Sequence, residues 1–225
     1  MREIRNATRE DWLTRRMVGI GASDAPIILG LSKYKSPFGL YHEKLGLEPA
    51  PLEEVEAAAW GLALEGPLAD RFSIETGRKT LAPPVHAIYQ HDDVDWALAS
   101  IDRWQEHTSD TGSTLLVPLE LKTSNWALDK DWLEEAPLAY QVQVQHQMWV
   151  TGAPMCSIAV LIGGQKFRWC DIARDDDFIA VLSATESEFW QRCLDHQAPP
   201  IDDSVRTAET LKRLYATETG EVIAL

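Results

Sequence analysis

Val117-Pro118-Leu119-Glu120-Leu121-Lys122-Thr123-Ser124 is the stretch on which the fold turns: a strand that enters through the apolar run Leu115–Leu119 and closes on charge. A strand alternates its side chains between faces, so Glu120 and Lys122 share one face, about 7 Å apart along the backbone. One strand earlier, Ser100-Ile101-Asp102-Arg103 supplies a second carboxylate. An acid and an amine on one face, with an aspartate from a neighbouring strand, can hold a divalent metal and a water beside a phosphate. Taken alone, Glu-x-Lys is equally the pattern of an exposed ion pair on a sheet. The apolar lead-in separates the two readings, because charges that end a buried strand tend to belong to a site.

Outward from that strand, the periodicity and the turn chemistry predict further strands over residues 85–90, 96–101, 157–162 and 166–172. Ser109-Asp110-Thr111-Gly112 marks a turn. On the N-terminal side, Thr8 is the expected cap of a helix through Arg16. Gly19 to Asp24 reads as a turn, with Ser23 capping a helix over 25–29. Ser36-Pro37 opens a helix that ends at Gly46, and a long helix is expected from Leu52 to Thr76, with a kink at Gly66-Pro67. Beyond the central strand, helices are expected over 138–150, 174–196 and 203–217. The expected fold is α/β (α+β): one central mixed β-sheet flanked by helices, in a single domain over 1–225, with a helical N-terminal part to about 80 and a catalytic sheet with helices from about 81.

At 225 residues the chain is long enough to bury a sizeable core. The three cysteines, Cys156, Cys170 and Cys193, are scattered with no Cys-x-x-Cys, which fits reduced thiols and excludes a structural zinc or iron–sulfur pattern. No apolar run reaches bilayer-spanning length and the N-terminus opens no signal-peptide pattern, so the expected location is cytoplasmic. A net charge of −14 argues against a non-specific nucleic-acid binder, though not against an enzyme with a local basic channel. Arg2, Arg5, Arg9, Arg15, Arg16, Lys33 and Lys35 crowd the first part of the chain, where a phosphate backbone is expected to lie. Of the nine tryptophans, Trp60, Trp149 and Trp190 sit in helical patterns and are expected in the core.

Several blocks line up in order with one family: Gly19-Ile-Gly-Ala-Ser23-Asp24, Lys33-Tyr-Lys-Ser-Pro37, Trp60-Gly61-x-x-x-Glu65, Ser100-Ile-Asp102, Leu119-Glu120-Leu-Lys122, and Ala139-Tyr140-x-x-Gln143-Val-Gln145-x-x-Met148-Trp149-Val150-Thr151. The chain resembles the phage lambda exonuclease and the YqaJ-type viral recombinases, within the PD-(D/E)xK nuclease superfamily. The last block carries most of the specificity. Two positions depart from the pattern: Ile rather than Pro precedes Asp102, and Arg103 stands where the lambda-like pattern has Gly.

The resemblance implies a restriction-endonuclease-like core in which Asp102, Glu120 and the Leu121 carbonyl bind Mg²⁺, with Mn²⁺ as a substitute. Lys122 would orient or deprotonate the attacking water and offset charge on the phosphate. Glu65 would join the acidic set, directly or through water, and Gln143 would point into the site, leaving Gln145 to pack or cap a strand. Arg16 and Ser23 look like a 5′-phosphate pocket, with Arg15 able to exchange roles with Arg16. A guanidinium grips phosphate in bidentate fashion, and a helix opened by Ser23 would favour an anion. Lys33 and Lys35 would touch the duplex backbone.

By resemblance the chain is expected to be a Mg²⁺-dependent 5′→3′ exonuclease acting on double-stranded DNA ends and leaving 3′ single-stranded overhangs. It would form a homotrimer and work with a phage-type single-strand annealing protein in recombination. The alternatives are an endonuclease or repair nuclease on the same fold, and a non-catalytic acidic interaction protein.

Overall fold

The computed structural model describes residues 1–47, 56–108 and 112–215. In chain order the elements are β1 (Arg2–Arg5), α1 (Arg9–Met17), β2 (Ile20–Gly21), α2 (Ala25–Ile28), α3 (Pro37–Lys44), α4 (Glu56–Thr76), β3 (Thr80–Leu81), β4 (Ala87–Gln90), β5 (Ala97–Ala99), β6 (Arg103–Thr108) and β7 (Thr114–Ser124). After a 3₁₀ helix (Trp126–Trp132) come α5 (Leu138–Thr151), β8 (Met155–Ile162), β9 (Lys166–Ala173), α6 (Asp176–Leu194) and α7 (Val205–Leu214).

The mixed α/β class is borne out, but the strands form two sheets rather than one: β1-β4-β5-β2 and β3-β6-β7-β8-β9. Within the larger sheet β7 and β8 run parallel, and the other pairs are antiparallel. Parallel neighbours need a crossover connection, here the 3₁₀ helix and α5. Two strands escape a hydrophobic-pattern reading. β6 is Arg-Trp-Gln-Glu-His-Thr, mostly polar, and is held by its six-residue register with β7 from Arg103↔Leu119 to Thr108↔Thr114. β1, Arg-Glu-Ile-Arg, is largely exposed and exists through its antiparallel pairing with β4. The first 80 residues are therefore not purely helical, since β1 and β2 belong to the sheet of β4 and β5.

Alternation along the strands sets which helix each face meets. Leu119, Leu121 and Ala159 pack with Leu68, Ala69 and Phe72 of α4, whereas Ile158, Val160 and Ile162 pack with Val144 and Met148 of α5. Leu119 and Leu121 thus turn to α4, and the intervening Glu120 and Lys122 turn to α5. α5 is anchored by His146, whose Nδ1 lies 2.8 Å from Glu186 Oε1 of α6 and whose Nε2 lies 2.9 Å from the Leu98 carbonyl of β5. Burial alone would push this imidazole toward neutrality, but the Glu186 carboxylate reverses that and holds its pKa above the usual value.

The expected helix starting at Leu52 lies partly outside the described residues, as do most of the 109–112 turn and the end of the last helix. From Glu56 onward the long helix is present and carries Pro67 within it. Its first turns face outward, and Trp60 is 59% exposed rather than in the core. Trp149 and Trp190 pack against core clusters as expected, and the three cysteines are free thiols.

α1 opens with a capping box between Thr8 and Asp11. Its far end meets a buried ion pair: Lys44 Nζ donates to Asp24 Oδ2 at 2.7 Å and to the Arg16 carbonyl at 2.9 Å. Asp24 also accepts the Gly21 N–H at 2.9 Å. Burial works against this carboxylate, but the Lys44 charge and hydrogen bond prevail and hold its pKa below the ordinary value. The turn also depends on Gly19, because a Cβ there would lie 2.5 Å from the Trp96 carbonyl oxygen against which β2 pairs.

Lys44→Met should therefore destabilise the fold by about 3–5 kcal/mol, since it strands a buried carboxylate. Asp24→Asn added to it should recover much of the loss. Because the Asp24 pKa is depressed, the wild-type contribution is present above the unfolded-state value of about 3.9 and disappears as pH falls through the folded-state value. Urea unfolding of the two variants checks both points, and equal stability of wild type and Lys44→Met would refute the assignment.

Candidate active site

Glu120 is 3% exposed, and both of its carboxylate oxygens are engaged. Gln143 Nε2 donates to Oε1 at 2.6 Å and Gln147 Nε2 donates to Oε2 at 2.6 Å. These two amides stand four residues apart on α5, which places them on one helix face above β7. Lys122 Nζ lies 2.5 Å from Glu120 Oε1, donates to Gln143 Oε1 at 3.1 Å, and sits 5.0 Å above the Tyr140 ring. Burial alone would favour neutral Lys122, but Glu120 and Asp102 outweigh it and its pKa is raised. Lys122 is therefore an ammonium donor, which favours orienting water and offsetting phosphate charge over accepting a proton.

Asp102 reaches the same place from the other direction. Residues 100–102 link β5 of one sheet to β6 of the other, and Asp102 Oδ2 accepts the Leu121 N–H at 2.8 Å. Its pKa is pushed well above the ordinary carboxylate value, first by burial, then by the Glu120 charge, with Glu65 adding to the effect. Glu65 approaches from α4, and its carboxylate is held by Arg103 Nη1 at 2.9 Å. Burial raises the Glu65 pKa, Arg103 lowers it in part, and Glu120 raises it further. Among the described residues no three His, Cys, Asp or Glu side chains converge closely enough to form a metal cage by themselves.

The donor set nevertheless fits a hard divalent cation. Asp102 and Glu120 are hard oxygen ligands, with burial and repulsion from the Glu120 charge both raising the Asp102 pKa, and the Leu121 carbonyl belongs to the same stretch of β7. A bound dication would relieve that repulsion.

Glu65, Asp102, Arg103, Glu120 and Gln143 line a cleft of ≈ 620 Å³, and so do Arg9, Trp12, Arg16 and Ser23. Arg16 Nη2 donates to Ser23 Oγ at 3.2 Å, and its guanidinium lies 4.6 Å from the Trp12 ring centre. Arg16 lines the cleft and Arg15 does not. Ser23, however, is not the helix cap. Asp24 holds that position without a side-chain cap bond, and α2 is only four residues long. Pro26 and the left-handed Gly30 confine the helix, so the anion-favouring helix end expected behind Ser23 is absent.

Lys33 and Lys35 are not among the cleft residues. Lys35 is paired with Glu43, and the Lys33 carbonyl accepts Arg206 Nε of α7 at 2.7 Å. Gln145 caps as expected: its Nε2 donates to the Ala173 carbonyl at 2.8 Å and its Oε1 accepts the Asp175 N–H at 3.0 Å. Two participants were not assigned from sequence. Gln147 shares the face of Tyr140 and Gln143, a spacing visible in the chain. Arg103 directly follows Asp102 but reads there only as a departure from the pattern.

A model of the YqaJ-like viral recombinase domain matches residues 11–154. The uncharacterized protein YqaJ of Bacillus subtilis (strain 168) is 41% identical over 223 residues, covering 97% of this chain and 67% of that protein. Among solved structures, an alkaline exonuclease (LHK-Exo) from Laribacter hongkongensis superposes with a TM-score of 0.61 at 20% identity, covering 84% of this chain and 94% of that one. LHK-Exo in complex with dAMP superposes with a TM-score of 0.62 at 21% identity, covering 92% and 98%. These superpositions support the restriction-endonuclease-like fold.

Because burial and Glu120 raise the Asp102 pKa, this group favours the metal-free fold when protonated and opposes it when charged, so the penalty grows as pH rises. Asp102→Asn keeps an acceptor for the Leu121 N–H and should raise Tm in chelator at pH 8, by about 2–4 °C for each kcal/mol gained. The advantage should shrink as pH falls through the raised pKa. Differential scanning calorimetry across that pH range reads it directly, and a variant that melts below wild type at pH 8 would contradict the inference.

Proposed function

This chain belongs to the YqaJ-like viral recombinase family, and we propose that it is a divalent-metal-dependent deoxyribonuclease that digests one strand of duplex DNA from a 5′ end. The observation that carries this reading is the single cleft in which Asp102, Glu120 and Gln143 share walls with Arg16 and Ser23. One set of groups suits phosphodiester hydrolysis, and the other suits a terminal phosphate. The solved LHK-Exo complex with dAMP, on the same fold, supports a nucleotide-sized occupant.

Asp102 and Glu120, with the Leu121 carbonyl, would hold Mg²⁺ or Mn²⁺. When bound, the ion supplies a water of lowered pKa and a Lewis acid toward the phosphoryl oxygen. The protein's own part is positional and electrostatic. Gln143 and Gln147 fix the Glu120 carboxylate, and Lys122, held as an ammonium 2.5 Å from it, donates toward the attacking water and the phosphate. Arg16 grips a terminal phosphate, with Ser23 Oγ beside it. Degradation from the 5′ end leaves a 3′ single strand, the substrate of a phage-type annealing protein. In this reading the enzyme acts as a homotrimer in the cytoplasm of a bacterial host. Among the described residues no helix is long and apolar enough to cross a membrane.

The deciding assay follows nucleotide release from linear duplexes with 5′-phosphate or 5′-hydroxyl ends and from covalently closed circles, in Mg²⁺, in Mn²⁺ and in chelator. Metal-dependent digestion of linear DNA alone is expected, with the phosphorylated end preferred. Cleavage of closed circles would make the protein an endonuclease, and no release with either metal would remove the enzyme reading. Lys122→Ala should lower kcat by about a hundredfold, the scale for losing one positioned donor. Arg16→Ala should instead erase most of a preference of about tenfold for the 5′-phosphate, since a charge-assisted contact is worth about 1.5–3 kcal/mol. Full retention of that preference would place the phosphate elsewhere.

A further inference from the structure

Arg103 opens β6 opposite Leu119, so it leaves the sheet on the face that meets α4. A single nitrogen, Nη1, lies 2.9 Å from Glu65 Oε2 and 2.5 Å from the Asp102 carbonyl oxygen. It therefore bridges an oxygen of α4 and an oxygen of the link between the two sheets, as a bound cation would. The pair is mostly sheltered, with side chains 18% and 22% exposed, and both residues line the cleft. Among the described residues no hydrogen bond uses Arg103 Nε or Nη2. A guanidinium has five N–H donors, so most of its donor capacity remains for a ligand.

We propose that Arg103 is a resident cation of the site: it fills, between Glu65 and Asp102, the place a second divalent ion would take, so that each chain binds one divalent ion. In this arrangement Arg103 itself provides the second positive centre toward the scissile phosphate. This deepens the nuclease reading and rests on it. Charge balance favours the arrangement. Around Asp102 the carboxylates of Glu65, Asp102 and Glu120 face the cations Arg103 and Lys122. One dication converts that deficit into a modest excess for a phosphate. A second, placed against Glu65, would lie within ion-pair range of the guanidinium, where like charges repel strongly in a partly buried cleft. A guanidinium also suits the task geometrically, since it can keep Glu65 with one nitrogen and reach phosphate oxygens with others.

Isothermal titration of the whole chain with Mn²⁺ tests this without reference to turnover. Wild type should take up one ion per chain. Arg103→Gln should take up two, because it exposes Glu65 and the Asp102 carbonyl as oxygen ligands, whereas Arg103→Lys should still take up one. Glu65→Gln should keep the single ion with affinity changed by no more than a few-fold, and it serves as the independent arm should Arg103→Gln fail to fold. In parallel, Arg103→Gln should lose roughly a hundredfold in kcat at low Mg²⁺ and regain much of it as Mg²⁺ is raised, with a steeper metal dependence than wild type. Two ions in wild type, one ion in a folded Arg103→Gln, or loss of the ion in Glu65→Gln would overturn the proposal while leaving a metal-dependent nuclease in place. No ion in wild type would instead bring down the nuclease reading beneath it.

Discussion

The buried carboxylate of Glu120 is the constraint around which this structure is arranged. A charged group at 3% exposure is costly unless every lone pair is engaged. The engagement comes from α5, whose Gln143 and Gln147 each donate to one oxygen. For α5 to stand there, the chain must leave β7, cross over and return as the parallel strand β8. The helix must also be fixed in rotation, because a slip of one residue would swing both amides off their acceptors. His146 supplies that restraint through Glu186 and the Leu98 carbonyl, and Gln145 supplies another by closing the junction between β9 and α6. The polar pattern of α5, unusual for a helix buried over most of its length, thus divides between Gln143 and Gln147, which hold the carboxylate, and Gln145 and His146, which hold the helix.

Asp102 is held by a different device. It lies where the backbone passes from the smaller sheet to the larger, and it is tethered to β7 by the Leu121 N–H. A carboxylate from the link between the sheets and one from β7 are thereby brought together in a sheltered place. Burial first, and the Glu120 charge second, raise the Asp102 pKa. A bound dication at the proposed site would offset the repulsion between the two carboxylates.

The sequence reading went furthest where periodicity and chemistry coincide. The strand ending in Glu120-Leu121-Lys122 could be placed because an apolar run leads into it, and Gln143 could be aimed at the site by the resemblance, whereas Gln147, four residues on, went unassigned although it stands at helical spacing from Gln143. β6 and β1 were not legible because their residues are polar and they exist by virtue of the partners they pair with, information that lies elsewhere in the chain. The same cause hid the division into two sheets. Ser23 looked like a cap because serine before an apolar run usually is one. The structure gives Asp24 the position because Lys44, 20 residues away, is there to pair with it. Lys33 and Lys35 looked available for DNA because a loop lysine has no visible partner in sequence, and at least one of them has its partner in α3.

The strong negative charge of the chain gains its meaning from where the positive charges end up. Of the early basic residues, Arg9 and Arg16 line the cleft, while Arg5 and Lys35 are paired with Glu3 and Glu43. A surface of that sign repels a polyanion over roughly a Debye length, about 8 Å at physiological ionic strength. In the proposed reading duplex DNA would approach where the cleft presents local cations, the side lined by Arg9, Trp12 and Arg16. Non-specific adhesion along a DNA backbone is thereby disfavoured. Under the proposed role of Arg16 at a terminal phosphate, the acidic composition would favour contact at DNA ends over contact along the duplex.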